Sequence, residues 1–168
     1  AIDCTVEGYS AVGGAYGRID GGTHNREYNN SKVSASSHTA GGIVGYLDNE
    51  NMTAVSNNSS IYDSYFADGK ISAPRNVGGL IGYLDNERMT DSVYIIKIYE
   101  NYVADSNITG NQNIGGLIGN SYKELLDNNY YYKNYVQADL ISDDNLTVSL
   151  GIGGRKVDNQ KFVNTYFY

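Results

Sequence analysis

The hydrophobic positions of this chain come in short bursts, not in long periodic runs. Segments such as SIYDSYFADGKIS (60–72), VGGLIGYL (77–84) and KIYENYVADSNIT (97–109) carry Val, Ile, Leu and Tyr, and turns rich in Asn, Asp and Gly separate them. Apolar residues at i, i+3 and i+4 over a long window, the mark of an amphipathic helix, are missing. Gly, Asn, Ser and Asp oppose helix, whereas Val, Ile and Tyr favour strands. One helical turn is expected, at SYKELLDN (121–128). Elsewhere each unit offers three short strand candidates: the KIS/NIT segment, the VGGLIGYL segment and the IYxxY segment. Within the second, Val77, Ile81 and Tyr83 alternate with Leu80 and Leu84, so parity alone assigns neither set to an interior.

The bursts repeat. AGGIVGYLDNENMT (40–53) returns as VGGLIGYLDNERMT (77–90), with weaker copies in VGGAYGRIDGG (12–22) and IGGLIGN (114–120) and a decayed fifth in LGIGGR (150–155). The GG pairs are Gly13–Gly14, Gly41–Gly42, Gly78–Gly79 and Gly115–Gly116, and their first members lie 28, 37 and 37 residues apart. A third glycine follows in Gly45, Gly82 and Gly119. A second marker keeps the same period: Tyr28, Tyr65, Tyr102, Tyr135 and Tyr166 lie 37, 37, 33 and 31 apart. Two independent markers on one period indicate a structural repeat. Strand candidates in every unit predict an all-β fold, a β-solenoid of about four to five coils built from 37-residue repeats and forming one module over 1–168. Glycine inside a strand costs stability unless a bend or close backbone approach requires it, so the recurring GG marks a corner or tight contact. Both chain ends fall in mid-pattern, and the sequence reads as an excerpt of a longer protein.

Composition narrows the function. A net charge of −7 argues against partners bound by phosphate neutralisation, so neither nucleic acid nor an anionic membrane surface is expected. No apolar run is long enough to insert in a membrane. Cys4 stands alone, which excludes a disulfide framework and a cysteine zinc cluster.

Candidate chemistry is sparse. The hexapeptide GYLDNE occurs at 45–50 and again at 82–87, bringing Asp48, Glu50, Asp85 and Glu87 near one another if the units stack. Calcium wants six to eight oxygens and a spaced D-x-D-x-D-G loop, which these turns lack. A solvated turn with an Asn49/Asn86 ladder is the reading adopted, with calcium left open. His24 and His38 have no HExxH context, and Arg18, Arg26, Arg75, Arg88 and Arg155 fall at unrelated points of the repeat. No catalytic residue, metal ligand or cofactor is assigned. Tyr65, Tyr102 and Tyr135 recur with the units and read as structural. Tyr130, Tyr131 and Tyr132 lie where the period slips, and they are the candidate ligand-binding platform.

The segments AGGIVGYLDN, NVGGLIGYLDN and NIGGLIGN resemble the GLUG-type repeat of bacterial surface proteins. They look most like the repeat region of the IgA1-specific zinc metallopeptidases of streptococci, over about residues 1–155. No position matches that family's HExxH chemistry, so the resemblance implies a non-catalytic module of a secreted, cell-wall-associated protease. It also implies a right-handed parallel β-helix that helps hold immunoglobulin A1 or contacts other domains of the same protease. The alternative is a repeat module of an adhesin that binds a host glycan or matrix protein; a spacer without ligand is the third reading.

Overall fold

The structure is a computed structural model and describes residues 3–49, 58–86, 95–122, 129–142, 148–149, 151–153, 162–163 and 166–167. No helix occurs among the described residues, and residues 123–128 of the expected helical turn lie outside them. The first layer of chain holds β1 (Thr5–Gly8), β2 (Val12–Gly13), β3 (Tyr16–Asp20), β4 (Thr23–Asn25) and β5 (Tyr28–Asn29). The second holds β6 (Lys32–Ala35), β7 (Ala40–Gly41), β8 (Val44–Asp48), β9 (Asn58–Tyr62) and β10 (Tyr65–Ala67). The third holds β11 (Lys70–Ser72), β12 (Arg75–Gly78), β13 (Ile81–Asp85) and β14 (Ile95–Tyr99), and runs on into β15 (Tyr102–Gly110). Then follow β16 (Gln112–Gly115), β17 (Ile118–Tyr122), β18 (Asn129–Tyr132), β19 (Tyr135–Ser142), β20 (Val148–Ser149), β21 (Phe162–Val163) and β22 (Tyr166–Phe167).

Every described pairing is parallel and joins a strand to its copy in the next layer, giving four stacked sheets. Register follows the sequence repeat residue by residue except between β15 and β19, where it shifts between Val103 and Ser106. Gly13 pairs with Gly41, Gly41 with Gly78 and Gly78 with Gly115. Tyr28, Tyr65, Tyr102, Tyr135 and Tyr166 form one continuous row. In the fifth copy Gly115 meets Ser149 and Ile118 bridges to Ile152, so the GG of LGIGGR does not occupy the GG position.

Three strand candidates per unit become five strands, because two of them break at corners. VGGLIGYL divides at its GG into β12 and β13. A Cβ on Gly41 or Gly78 would lie 2.0 or 1.9 Å from the carbonyl oxygen three residues on, and one on Gly42 or Gly79 would lie 2.1 Å from the glycine carbonyl of the next layer. Backbone amides continue the ladder around this bend, Gly42 N–H to Gly78 O (3.2 Å) and Ile43 N–H to Leu80 O (3.0 Å). The bend also resets side-chain parity. Val77, Leu80, Ile81 and Leu84 are therefore all buried, while Tyr83 points out. With Ile61, Phe66 and Ile71 the same stretch buries seven large apolar side chains. At about 1.5–3 kcal/mol each, this interior is the main stabilising term.

The hexapeptide reading needs correction. GYLD is strand, not turn, in both β8 and β13, and its polar residues are not solvated. Asp48, Asn49, Asp85 and Asn86 are all buried. Asp20, Asp48 and Asp85 stand in register; Arg18 pairs with Asp48, and the Tyr46 hydroxyl donates to Asp85. Asn49 Nδ2 donates to Asn86 Oδ1 at 2.9 Å, so the asparagine ladder exists, but inside. Glu50 and Glu87 lie outside the described residues.

Candidate functional site

The second broken candidate, IYxxY, builds an exposed, ordered surface. Its two middle residues turn the chain from the β9–β14–β18 sheet into the β10–β15–β19 sheet. The first of them is left-handed at all four described corners: Arg26 (φ 56°), Asp63 (52°), Glu100 (55°) and Lys133 (54°). That conformation costs a side-chain-bearing residue about 1–2 kcal/mol, so the corner persists only because its neighbours hold it. In the second to fourth layers the residue after it, Ser64, Asn101 or Asn134, points inward. Asn101 and Asn134 are fully buried, and each Nδ2 donates to a core-strand carbonyl, Ile61 O at 2.9 Å and Ile98 O at 2.8 Å. Ser64 N–H donates to Asn101 Oδ1 (3.1 Å), and Asn101 N–H to Asn134 Oδ1 (3.2 Å). Ser64 Oγ donates to Tyr62 O (3.0 Å).

Outside, the corner carries three parallel rows. On one flank Tyr62, Tyr99 and Tyr132 stack at centroid distances of 4.8 and 4.7 Å with ring planes 5° apart. On the other flank Tyr28, Tyr65, Tyr102 and Tyr135 follow at 5.5, 5.8 and 6.1 Å. Between them runs the charged row, in which Arg26 pairs with Asp63 (3.5 Å) and Lys133 with Glu100 (2.9 Å). Glu100 raises the Lys133 ammonium above its ordinary value through that hydrogen bond. Burial, then the neighbouring Tyr132, Tyr62 and Glu100, raises the Tyr99 phenol. Tyr28, Tyr65, Tyr102 and Tyr166 are exposed despite their size, and a cleft of about 400 Å³ opens among Tyr102, Lys133, Asn134, Tyr135 and Tyr166. Rigid aromatic faces beside fixed charges suit recognition of an amphipathic partner: Tyr offers large contact area and a polar tip at small entropic cost.

This surface displaces the expected platform. Tyr131 is not available to a ligand: it is 1 % exposed and continues the core column Ile61–Ile98. Alternation along β18 turns Tyr131 in and Tyr132 out, so YYY cannot form one flat face. Tyr132 joins the stacked row, and Tyr130 lies on β18 with its side chain outside the described residues. The glycines Gly13, Gly14, Gly41, Gly42, Gly45, Gly78, Gly79, Gly82, Gly115, Gly116 and Gly119 sit at or beside the other bend, where all but Gly116 hold a position at which a Cβ would meet backbone within 3 Å. Tyr65, Tyr102 and Tyr135, read as structural, are repeat positions and surface at once. Sequence reasoning missed Arg26, Asp63, Glu100 and Lys133, and the inner Ser64, Asn101 and Asn134. The signal was the polar pair between the tyrosines, DS, EN and KN, whose second member is small or an amide.

Among the described residues no group of three His, Cys, Asp or Glu side chains could hold a metal ion, and no helix is long and apolar enough to cross a membrane. No family model, curated protein or solved structure matches the chain.

Proposed function

We propose that this chain is a non-catalytic β-solenoid, wound as a right-handed parallel β-helix, that serves as a recognition module of an extracellular bacterial surface protein. The observation that carries the reading is the tyrosine row Tyr28–Tyr65–Tyr102–Tyr135–Tyr166, exposed at every position but the half-buried Tyr135, beside the charged corner. Right-handedness rests on the bias of parallel crossovers. The repeated GG[LI][IV]G cores support a parent protein of the IgA1-specific metallopeptidase kind, and with it immunoglobulin A1 as the partner held while a separate domain cuts. Binding energy in protein interfaces concentrates in a few residues, among which Tyr and Arg are enriched.

The test is biosensor binding of the chain to immunoglobulin A1, with A2 and isolated Fab and Fc pieces as controls. Saturable binding that Tyr65→Ala with Tyr102→Ala weakens at least tenfold is expected. Absence of binding at tens of micromolar by a folded chain would sink the partner, and full binding by the double variant would sink the surface.

A further inference from the structure

A second surface lies away from the ridge, in the angle between the β2–β7–β12–β16 sheet and the β3–β8–β13–β17 sheet. Gly45, Gly82 and Gly119 lie where the two sheets abut. A Cβ on Gly82 would meet Thr39 Cγ2 at 2.6 Å and Ala40 O at 2.7 Å, and one on Gly119 would meet the Asn76 carbonyl carbon and the Val77 nitrogen at 2.5 Å. Any side chain there would wedge the sheets apart, so the glycines let the backbones close and leave a groove of about 370 Å³.

One wall presents Tyr46, Tyr83 and Asn120, in register on successive layers, with the two rings 5.2 Å apart and tilted 37°. The other presents Arg75, Asn76, Gln112 and Asn113. Asn76 and Asn113 adopt left-handed conformations (φ 49° and 55°), and Asn113 Nδ2 donates to Asn76 Oδ1 at 2.8 Å. On a chain of net charge −7 the groove lining contains Arg75 and His38 and no Asp or Glu.

We infer that this groove is a binding site for a linear glycan lying along the stacking axis. The Tyr46 and Tyr83 rings pack against each other, and Arg18 lies over the Tyr46 ring at 5.3 Å, so they offer ring edges to the C–H groups of a sugar, while carboxamides donate and accept at once and so match hydroxyl groups. Arg75 supplies a planar donor fork for a hydroxyl pair or a sugar carboxylate. Tyr46 and Tyr83, and likewise Asn76 and Asn113, repeat on two successive layers at the ~4.8 Å strand spacing, close to the length of one sugar ring, so two neighbouring residues of a polymer meet like groups. A concave site with few placed polar groups fits small-ligand recognition better than docking of a flat protein face. The inference is independent of the tyrosine ridge.

The experiment is titration calorimetry of the full chain with cellohexaose and N-acetylchitohexaose as neutral probes and a hyaluronan hexasaccharide as the acidic one. Saturable binding of any probe, weakened at least tenfold by Tyr83→Ala and several-fold by Gln112→Ala and Arg75→Ala, is expected. Tyr65→Ala with Tyr102→Ala should leave it unchanged. Gln112 and Arg75 are exposed, so their variants keep the test valid if Tyr83→Ala does not fold. No binding of any probe at millimolar concentration overturns the inference. So does binding indifferent to all three groove variants, or binding abolished by the ridge variant.

Discussion

Asn101 offers the most direct test of what holds the corner. Its side chain is fully buried and makes three hydrogen bonds: it donates to Ile61 O and to Asn134 Oδ1 and accepts from Ser64 N–H. Asn101→Ala removes all three and leaves the Ile61 carbonyl and the Ser64 amide buried without these partners. Each such group costs about 1–3 kcal/mol, so the expected loss is about 2–6 kcal/mol. The preceding layer supplies a natural comparison. Ser64 holds the equivalent position, donating to Tyr62 O at 3.0 Å and accepting from Glu27 N–H at 3.4 Å. Asn101→Ser should therefore recover roughly half the loss. Glu100→Ala, one residue away but half-exposed and paired only at the surface, should cost less than about 1 kcal/mol. Urea unfolding followed by circular dichroism gives the free energies. Because each layer touches only its neighbours, hydrogen exchange should accelerate at the Tyr62–Tyr65 and Tyr99–Tyr102 corners and stay slow at Val12–Tyr16. A loss below about 1 kcal/mol for Asn101→Ala, or a serine variant no better than alanine, would refute the reasoning.

Tyr99→Ala removes the middle ring of a three-ring stack and with it two ring pairs; at about 0.5–1.5 kcal/mol each, a loss of about 1–3 kcal/mol is expected in the same urea assay. Gly79→Ala places a Cβ 2.1 Å from the Gly116 carbonyl and 2.6 Å from Val103 Cγ1, and should prevent native stacking, seen as loss of strand signal. Gly22→Ala meets nothing closer than His24 Nε2 at 3.7 Å, and it should cost only the left-handed penalty of about 1 kcal/mol. Burial, then the hydrogen bond to Asp85, pushes the Tyr46 phenol above its ordinary value near 10. A raised folded-state value gives stability that is whole below about pH 10 and lost above it, because unfolding frees the phenol to ionise. Tyr46→Phe should flatten that alkaline decline, measured as the drop in unfolding free energy between about pH 9 and about pH 11; an unchanged drop would refute the assignment.

The repeat was legible because its markers are backbone requirements: a corner that excludes Cβ must be written as glycine in every layer, and a paired row keeps its chemistry. Gly13, Gly41, Gly78 and Gly115 therefore announced their own pairing. The corner at Asp63, Glu100 and Lys133 was not legible, because no single residue type marks a left-handed position that neighbouring hydrogen bonds enforce. Burial of Asp48 and Asn49 was hidden for a related reason. Their partners Arg18 and Ser59 lie 30 and 10 residues away and meet them only after stacking. Tyr131 looked like one of three equal tyrosines until β18 gave it a direction.

The two tyrosine rows share one axial step but not one order. Rings of Tyr62, Tyr99 and Tyr132 lie 4.8 and 4.7 Å apart with planes 5° apart, so each step is the ~4.8 Å layer spacing itself. Rings of Tyr65, Tyr102 and Tyr135 lie 5.8 and 6.1 Å apart and tilt by 45° and 37°; both rows ride the same layers, so the excess is sideways displacement. One row is a flush pile, the other a splayed one. A flush pile shows a partner only its edges, whereas a splayed one opens part of each face. Face contact therefore falls to the splayed row, and each added layer would extend it by one more ring.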